Sequence, residues 1–294
     1  MVKAMVVRAG SGWGKALVKQ LIEANAEVVA YSGSQRKLDT LKTNLSSPLL
    51  RTVRGEAGRS GELLAAASGV DVIFCGVHLT YDDKPENVYR MLEAVRSVSA
   101  AIGAKLVVVE GVYSPSDVNV KKAVNLPGPN KLHIFSPELY GSGASNTLIH
   151  YALRKFVHGK TIKLPLDPSV RRDYLFIDDA ARYVCELAST ASAYGHDWNL
   201  RGNGPISQAE LLGLASSVVQ AAPRFEPIGG WQQRLLQWYA PSMKLLLDSY
   251  EQRGSMDETL SMVYEGIART PYQEGIAFTV RRMLDTDLTV RKGG

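Results

Sequence analysis

The chain has 294 residues, of which 45% are hydrophobic and 21% charged, with a formal net charge of +5. That is enough for a large α/β unit with a smaller lobe, and the balance excludes a largely disordered protein. Lys and Arg are scattered without a basic run or interleaved aromatics, and no stretch nears the roughly 20 apolar residues of a membrane span, so neither nucleic acid nor membrane is an expected partner. Cys75 and Cys185 are too few and too far apart for a disulfide framework or a zinc site. Met1 to Val7 has no signal-peptide layout, and the expectation is a cytoplasmic protein without a metal that binds small anions.

In chain order, Lys3 to Val7 is a short apolar run ending at a glycine cluster, and Ala16 to Ala24 carries apolar residues at helical spacing, which predicts strand, tight turn and helix. Further strands are expected at Glu27 to Tyr31, Val70 to Cys75 and Lys105 to Val109, with helices at Lys37 to Lys42, Gly61 to Ala67 and Asn87 to Ala101. This alternation predicts a parallel sheet covered on both faces. Leu132 to Phe135 is one more apolar run, followed by a turn-rich Tyr140-Gly141-Ser142-Gly143 and a helix from Thr147 to Val157. Asp173 to Ile177 reads as a strand, and Asp178 and Asp179 as the cap of a helix from Ala180 to Ser189. From Trp198 the text turns to Asn, Gly and Pro, then to helices at Gln208 to Gln220, Gly230 to Ala240, Met243 to Glu251 and Pro271 to Met283. Val290 to Gly294 reads as a frayed end.

The turn Gly10-Ser11-Gly12-Trp13-Gly14 lies between the first strand and helix, where a chain without Cβ atoms bends sharply and lets a pyrophosphate reach the backbone N–H groups of the helix start. Its Gly-x-Gly-x-Gly spacing is shorter than the common Gly-x-Gly-x-x-Gly or Gly-x-x-Gly-x-x-Gly forms. At the end of the second strand an acid would accept from a free adenosine ribose and repel a 2′-phosphate. Here the chain reads Tyr31-Ser32-Gly33-Ser34-Gln35-Arg36, with two hydroxyls and a guanidinium suited to phosphate oxygens. NADP(H) is therefore the expected cofactor and NAD(H) the lesser alternative. Arg36 with Lys37 also reads as a solvated helix start.

Taken together, these segments resemble the extended or atypical short-chain dehydrogenase/reductases, the superfamily of NAD(P)-dependent sugar epimerases and dehydratases. Gly10 to Val18 is similar to the cofactor turn, Gly69 to Phe74 to the segment before the fourth strand, and Lys105 to Tyr113 to the serine-bearing strand. Glu138-Leu-Tyr140-Gly-Ser-Gly143 resembles Tyr-Gly-Pro-Gly, Arg172 to Asp179 resembles Arg-Asp-Phe-x-Tyr-Val-Asp-Asp, and Trp198 to Gly202 resembles the Tyr-Asn-Leu-Gly turn. The resemblance implies a Rossmann-type doubly wound parallel sheet over residues 1–139 and a smaller, mostly helical substrate lobe over 140–294, with 173–189 packing back on the core.

The family's acid/base device, Tyr-x-x-x-Lys on a helix after the serine strand, has no counterpart between Ser114 and Lys131, a stretch that contains no tyrosine and is rich in Pro127, Gly128 and Pro129. Where a serine is expected the strand reads Val109-Glu110-Gly111-Val112-Tyr113. Tyr151-Ala-Leu-Arg-Lys155 matches literally, but on a helix that in the family packs away from the nicotinamide. The candidate catalytic residues are Tyr113, Tyr140 and Glu110; His78 and Val77, after the fourth strand, join the glycine turn, Ser32, Ser34 and Arg36 as cofactor candidates. Arg171 and Arg172 read either as anchors for an anionic substrate group or as solvated charges, and Trp231, Trp238 and Tyr239 as a core or pocket cluster. Three functions stay open: an NADP(H)-dependent oxidoreductase or epimerase acting on a hydroxyl or carbonyl of a small-molecule substrate, a non-catalytic NADP(H) sensor, and a structural or protein-interaction subunit. A homodimer is left open as well.

Overall fold

The computed structural model describes residues 1–77, 85–111, 128–144, 147–228, 262–263 and 268–292. The elements up to the fifth strand are β1 (Lys3–Val7), α1 (Gly12–Glu23), β2 (Glu27–Ser32), α2 (Gln35–Leu45), β3 (Leu50–Arg54), α3 (Ser60–Ala66), β4 (Val72–Val77), α4 (Pro85–Ile102) and β5 (Lys105–Glu110). Then follow β6 (Lys131–Phe135), β7 (Glu138–Tyr140), α5 (Leu148–Val157), β8 (Ile162–Leu164), β9 (Arg171–Arg172), β10 (Tyr174–Phe176) and α6 (Ile177–Ser189). The last are β11 (Asp197–Asn199), β12 (Ile206–Ser207), α7 (Gln208–Val219), β13 (Phe225–Pro227), β14 (Met262–Val263) and α8 (Tyr272–Lys292).

The main sheet has eight strands in the order β14-β11-β6-β5-β4-β1-β2-β3, all paired in parallel. The chain winds outward from β1 to β3, then returns to start again at β4, so the order reverses between β1 and β4. In open α/β sheets ligands bind beyond the carboxyl ends of the strands at such a switch point. The fold is thus the expected Rossmann-type doubly wound sheet.

Strand alternation assigns the two faces. Ala4 and Val6 turn toward α1, α2 and α6, whereas Met5 and Val7 turn toward α3 and α4, and all four are essentially fully buried. A third core, with Tyr140, Ile149, Leu153, Tyr174, Leu211 and Ile276, joins α5, α7 and α8. Around it run the two-stranded pairs β7·β10, β8·β13 and β9·β12.

Four details depart from expectation. β3 went unforeseen because Leu-Arg-Thr-Val-Arg buries only Leu50 and lies at the sheet edge, so hydrophobic content gave no signal. α6 starts at Ile177, which puts Asp178 and Asp179 inside its first turn rather than before it. There Asp179 accepts from Thr270 N at 2.7 Å and Thr270 Oγ1 at 3.1 Å, tying the helix start to the approach of α8. β11 and β14 belong to the main sheet, so the sheet recruits strands from beyond residue 140. Finally α8 continues to Lys292, past the expected fraying point at Val290.

Candidate dinucleotide site at the glycine turn

The β1–α1 turn is built around Arg8, whose φ is +60°. Ala9 N donates to Tyr31 O at 3.0 Å, extending the β1–β2 ladder by a residue, and Ser11 N donates to Arg8 O at 2.9 Å, closing the turn. Ser11 then caps α1, its Oγ accepting from Gly14 N at 3.0 Å. A cap of this kind contributes about 1 kcal/mol. A Cβ on Gly14 would lie 2.6 Å from Arg8 O and 2.7 Å from Ala9 Cα, so this glycine lets the helix press onto the strand.

The turn is therefore not a shortened one. Arg8, Ser11 and Gly14 stand at the three-residue intervals of Gly-x-x-Gly-x-x-Gly, with an arginine in the left-handed first position and a serine cap in the second. The eye-catching Gly10 and Gly12 serve other contacts. A Cβ on Gly10 would meet Ser32 Oγ at 2.8 Å and Lys37 Cβ at 2.9 Å, and one on Gly12 would meet Gly143 O at 1.4 Å. The loop after β7 thus lies directly on the cofactor turn.

A cavity of about 800 Å³ opens beside these contacts. Arg8, Gly10, Ser32, Ser34, Lys37, Ser142 and Gly143 are among its lining residues. Lys15, Lys19 and Arg282 add positive charge, and Asp178 is the one carboxylate among the described lining residues. Burial pushes the Asp178 carboxyl up, partly offset by Lys19. The electrostatic character suits an anion. Ser32 and Ser34 are held by the β2–α2 turn: Ser34 N donates to Ser32 Oγ at 3.4 Å, and Ser34 Oγ caps α2 by accepting from Lys37 N at 3.5 Å.

The expected residues divide. Gly10, Ser11, Gly12, Ser32 and Ser34 converge on the cavity. Arg36 does not: it is exposed and outside the cavity lining, and Lys37, one position on and also exposed, lines the cavity instead. Trp13 is buried beneath α1, and Val77 is fully buried in the opposite core. His78, Tyr113, Trp231, Trp238 and Tyr239 lie outside the described residues.

Glu110, 3% exposed at the end of β5, is bonded to His133. Its Oε2 is 3.1 Å from His133 Nε2, and His133 Nδ1 is 3.2 Å from Asp197 Oδ1. Burial pushes the His133 imidazole down, but the bonds to Asp197 and Glu110 outweigh it and hold the ring above its usual value. As an imidazolium it donates from both nitrogens and links β5, β6 and β11. This residue was missed because Leu-His-Ile-Phe reads as a plain apolar strand; the one signal was a polar residue inside a buried run. Tyr140 is fully buried, its ring 5.5 Å from Phe176 and 6.0 Å from Tyr272. Among the described residues its hydroxyl has no hydrogen-bond partner, and burial pushes the phenol well above its ordinary range.

Tyr151 and Lys155 sit together on α5, with the ammonium 5.5 Å from the ring centre, in the helical lobe. Arg171 donates to Glu210 Oε1 and Pro205 O, both at 2.7 Å, on an exposed face. Among the described residues no group of His, Cys, Asp and Glu could hold a metal, and no helix is long and apolar enough to cross a membrane.

Strand order and the turn at the switch point define a Rossmann-type doubly wound α/β protein. More particularly, residues 65–200 match the NAD dependent epimerase/dehydratase family. Arg8, the glycine turn and Ser32 lie before the matched segment. The fold is shared with dTDP-glucose 4,6-dehydratase from Bacillus anthracis in complex with NAD, at 15% identity and TM-score 0.68 over 98% of each chain. It is shared too with an epimerase from Methanothermobacter thermautotrophicus, at 14% identity and TM-score 0.69 over 99% of this chain and 94% of the other. UDP-glucuronic acid 4-epimerase from Bacillus cereus in complex with NAD aligns at 13% identity and TM-score 0.67, covering 97% and 99%. No curated protein matches the chain by sequence.

Proposed function

We propose that this protein binds a nicotinamide dinucleotide at the glycine turn and uses it to act on a hydroxyl or carbonyl group of a small molecule, as an epimerase or dehydratase would. The observation that carries the reading is the cavity joining the α1 start, the end of β2 and the loop after β7. The fit to a dinucleotide is chemical: Gly10, Ser11 and Gly12 line the cavity at the start of α1, where a pyrophosphate would meet backbone N–H groups, and Lys15 and Lys37 supply counter-charge. Bound there, the dinucleotide supplies hydride transfer; the chain's own residues position it and exclude water.

The preferred form is NADP(H). Structural neighbours are complexes with NAD, but residues 31–36 at the end of β2 include no acid and Lys37 lines the same cavity; the carboxylate beside this turn is that of Glu56, whose Oε1 lies 3.4 Å from where a Cβ on Gly33 would stand. A nucleotide-linked sugar is the substrate class proposed, by analogy with the UDP-glucuronic acid complex among the structural neighbours. Of the proton-handling candidates, Tyr113 is favoured, since Tyr140 is sealed in a core and Glu110 is bonded to His133. The same two placements, with the absent Tyr-x-x-x-Lys, favour a second reading in which the protein senses NADP(H) without turnover.

Calorimetric titration with NADPH and NADH, followed by incubation with UDP-sugars and NADP⁺, tests these readings. Tighter NADPH binding with conversion of a UDP-sugar supports the enzyme; binding without conversion supports the sensor. No binding of either dinucleotide refutes both.

A further inference from the structure

The first turns of α8 set an aromatic ring on the flank where the helix period calls for polar groups. Gly275, Ile276, Thr279 and Val280 are buried and mark the face turned to the core of the lobe. Phe278 falls off that stripe and is 44% exposed, on the flank that carries the exposed Glu274, Arg281 and Arg282. The helix itself is firmly seated. Tyr272 Oη accepts from Tyr174 N at 3.2 Å, Asp179 accepts from Thr270 N at 2.7 Å, and a Cβ on Gly275 would lie 2.5 Å from Tyr140 Oη. The placement of the whole helix therefore holds the ring outside the core.

A single exposed phenylalanine is ordinary on a protein surface. Phe278 is set apart by its place, since it is the one aromatic among the described residues that line the cavity of the glycine turn. A short series of contacts brings it there. Gly12 packs on Gly143, and a Cβ on Gly143 would lie 3.3 Å from Ile177 Cδ1. Ile177 follows Phe176, whose ring meets that of Phe278 edge to face with centres 5.9 Å apart. Lys15 and Lys19, one turn apart on α1, line the same cavity with Lys37. A flat apolar surface and ammonium groups thus share one space, the combination that holds a heteroaromatic ring joined to phosphate.

We infer that α8 is part of the dinucleotide site, with Phe278 packing against one of the two heteroaromatic rings of the bound dinucleotide, an inference that rests on the dinucleotide reading above. The ligand ring covers apolar surface that α8 leaves in water, and the lysines take the phosphates. Binding then ties α8 to α1, so the dinucleotide fastens the helical lobe to the sheet.

Wild type, Phe278→Ala and Phe278→Tyr are titrated with NADPH, NADH, 5′-AMP and nicotinamide mononucleotide, and melted without ligand. Phe278→Ala is expected to weaken whichever dinucleotide wild type binds by about 5- to 100-fold. Phe278→Tyr, which keeps a flat ring, should bind close to wild type. Both should melt within about 2 °C of wild type, because the ring is largely exposed already. The mononucleotide whose affinity falls in Phe278→Ala identifies the ring as adenine or nicotinamide. If wild type binds a dinucleotide and Phe278→Ala binds it equally well, α8 is not part of the site although the dinucleotide reading stands. Should Phe278→Ala melt lower, Phe278→Leu decides, since it keeps apolar bulk without a flat ring: full affinity overturns the inference and lost affinity supports it. Wild type that binds no dinucleotide overturns both readings.

Discussion

Replacing Gly12 by alanine probes the contact that joins the cofactor turn to the helical lobe. The new Cβ would lie 1.4 Å from Gly143 O and 2.5 Å from Gly143 C. Both partners are backbone, so no rotamer relieves the overlap; α1 or the 141–144 loop must retreat by more than an ångström. Overpacking of this severity costs about 3 kcal/mol or more. For a chain of this size that corresponds to a fall of about 6–12 °C in Tm. The reverse substitution is the control. A Cβ on Gly143 would meet Gly12 O and Ile177 Cδ1, each at 3.3 Å, which small shifts relieve at below about 1 kcal/mol. Thermal melts followed by circular dichroism compare Gly12→Ala, Gly143→Ala and wild type, and NADPH titration reports whether the turn is still open. The reasoning fails if Gly12→Ala melts within about 2 °C of wild type, or if Gly143→Ala does equal damage.

Three further outcomes follow from other contacts. His133→Leu strips both donors from Glu110 and Asp197, and breaking a buried pair in this way costs about 3–5 kcal/mol; a urea unfolding shift below about 1 kcal/mol would show that the pair is dispensable. Because His133 titrates higher when folded, its stabilisation is complete below about pH 6.5 and fades as pH rises through the folded value. Wild type should lose stability on that rise and His133→Gln should not. Lys131, pushed down to about 8 by burial despite Asp197 and Glu110, acts with the opposite sign at higher pH, so melts between about pH 6 and 7.5 isolate the histidine. Tyr140→Phe removes a buried hydroxyl that has no partner among the described residues and should leave Tm unchanged or raised; a fall of several degrees, or loss of turnover, would give that hydroxyl a role. Gly213, inside α7 and exposed, has nothing within 4 Å of a Cβ, so Gly213→Ala should stabilise by about 0.5–1 kcal/mol in chemical denaturation.

Periodicity alone located β1, β2, β4, β5 and β6, because strands buried on both faces read as short apolar runs between helical patterns. It did not locate β3, whose edge position leaves four of five residues unburied. The cofactor turn was visible as glycines, but its register was not. Arg8 stands in the left-handed position and Ser11 in the capping one, and only the backbone angles separate these from the neighbouring Gly10 and Gly12.

The sequence by itself determined the parallel α/β class, the lack of an acid among residues 31–36 and the absence of Tyr-x-x-x-Lys between Ser114 and Lys131, since composition, period and local motifs are properties of neighbouring residues. Tertiary structure decided which cations reach the cavity, with Lys37 in its lining and Arg36 outside it. It also decided that Tyr140 packs in a core and that Glu110 meets His133 across strands 23 residues apart in sequence. Such pairings depend on strand order and helix rotation, which long-range packing sets and no local pattern encodes.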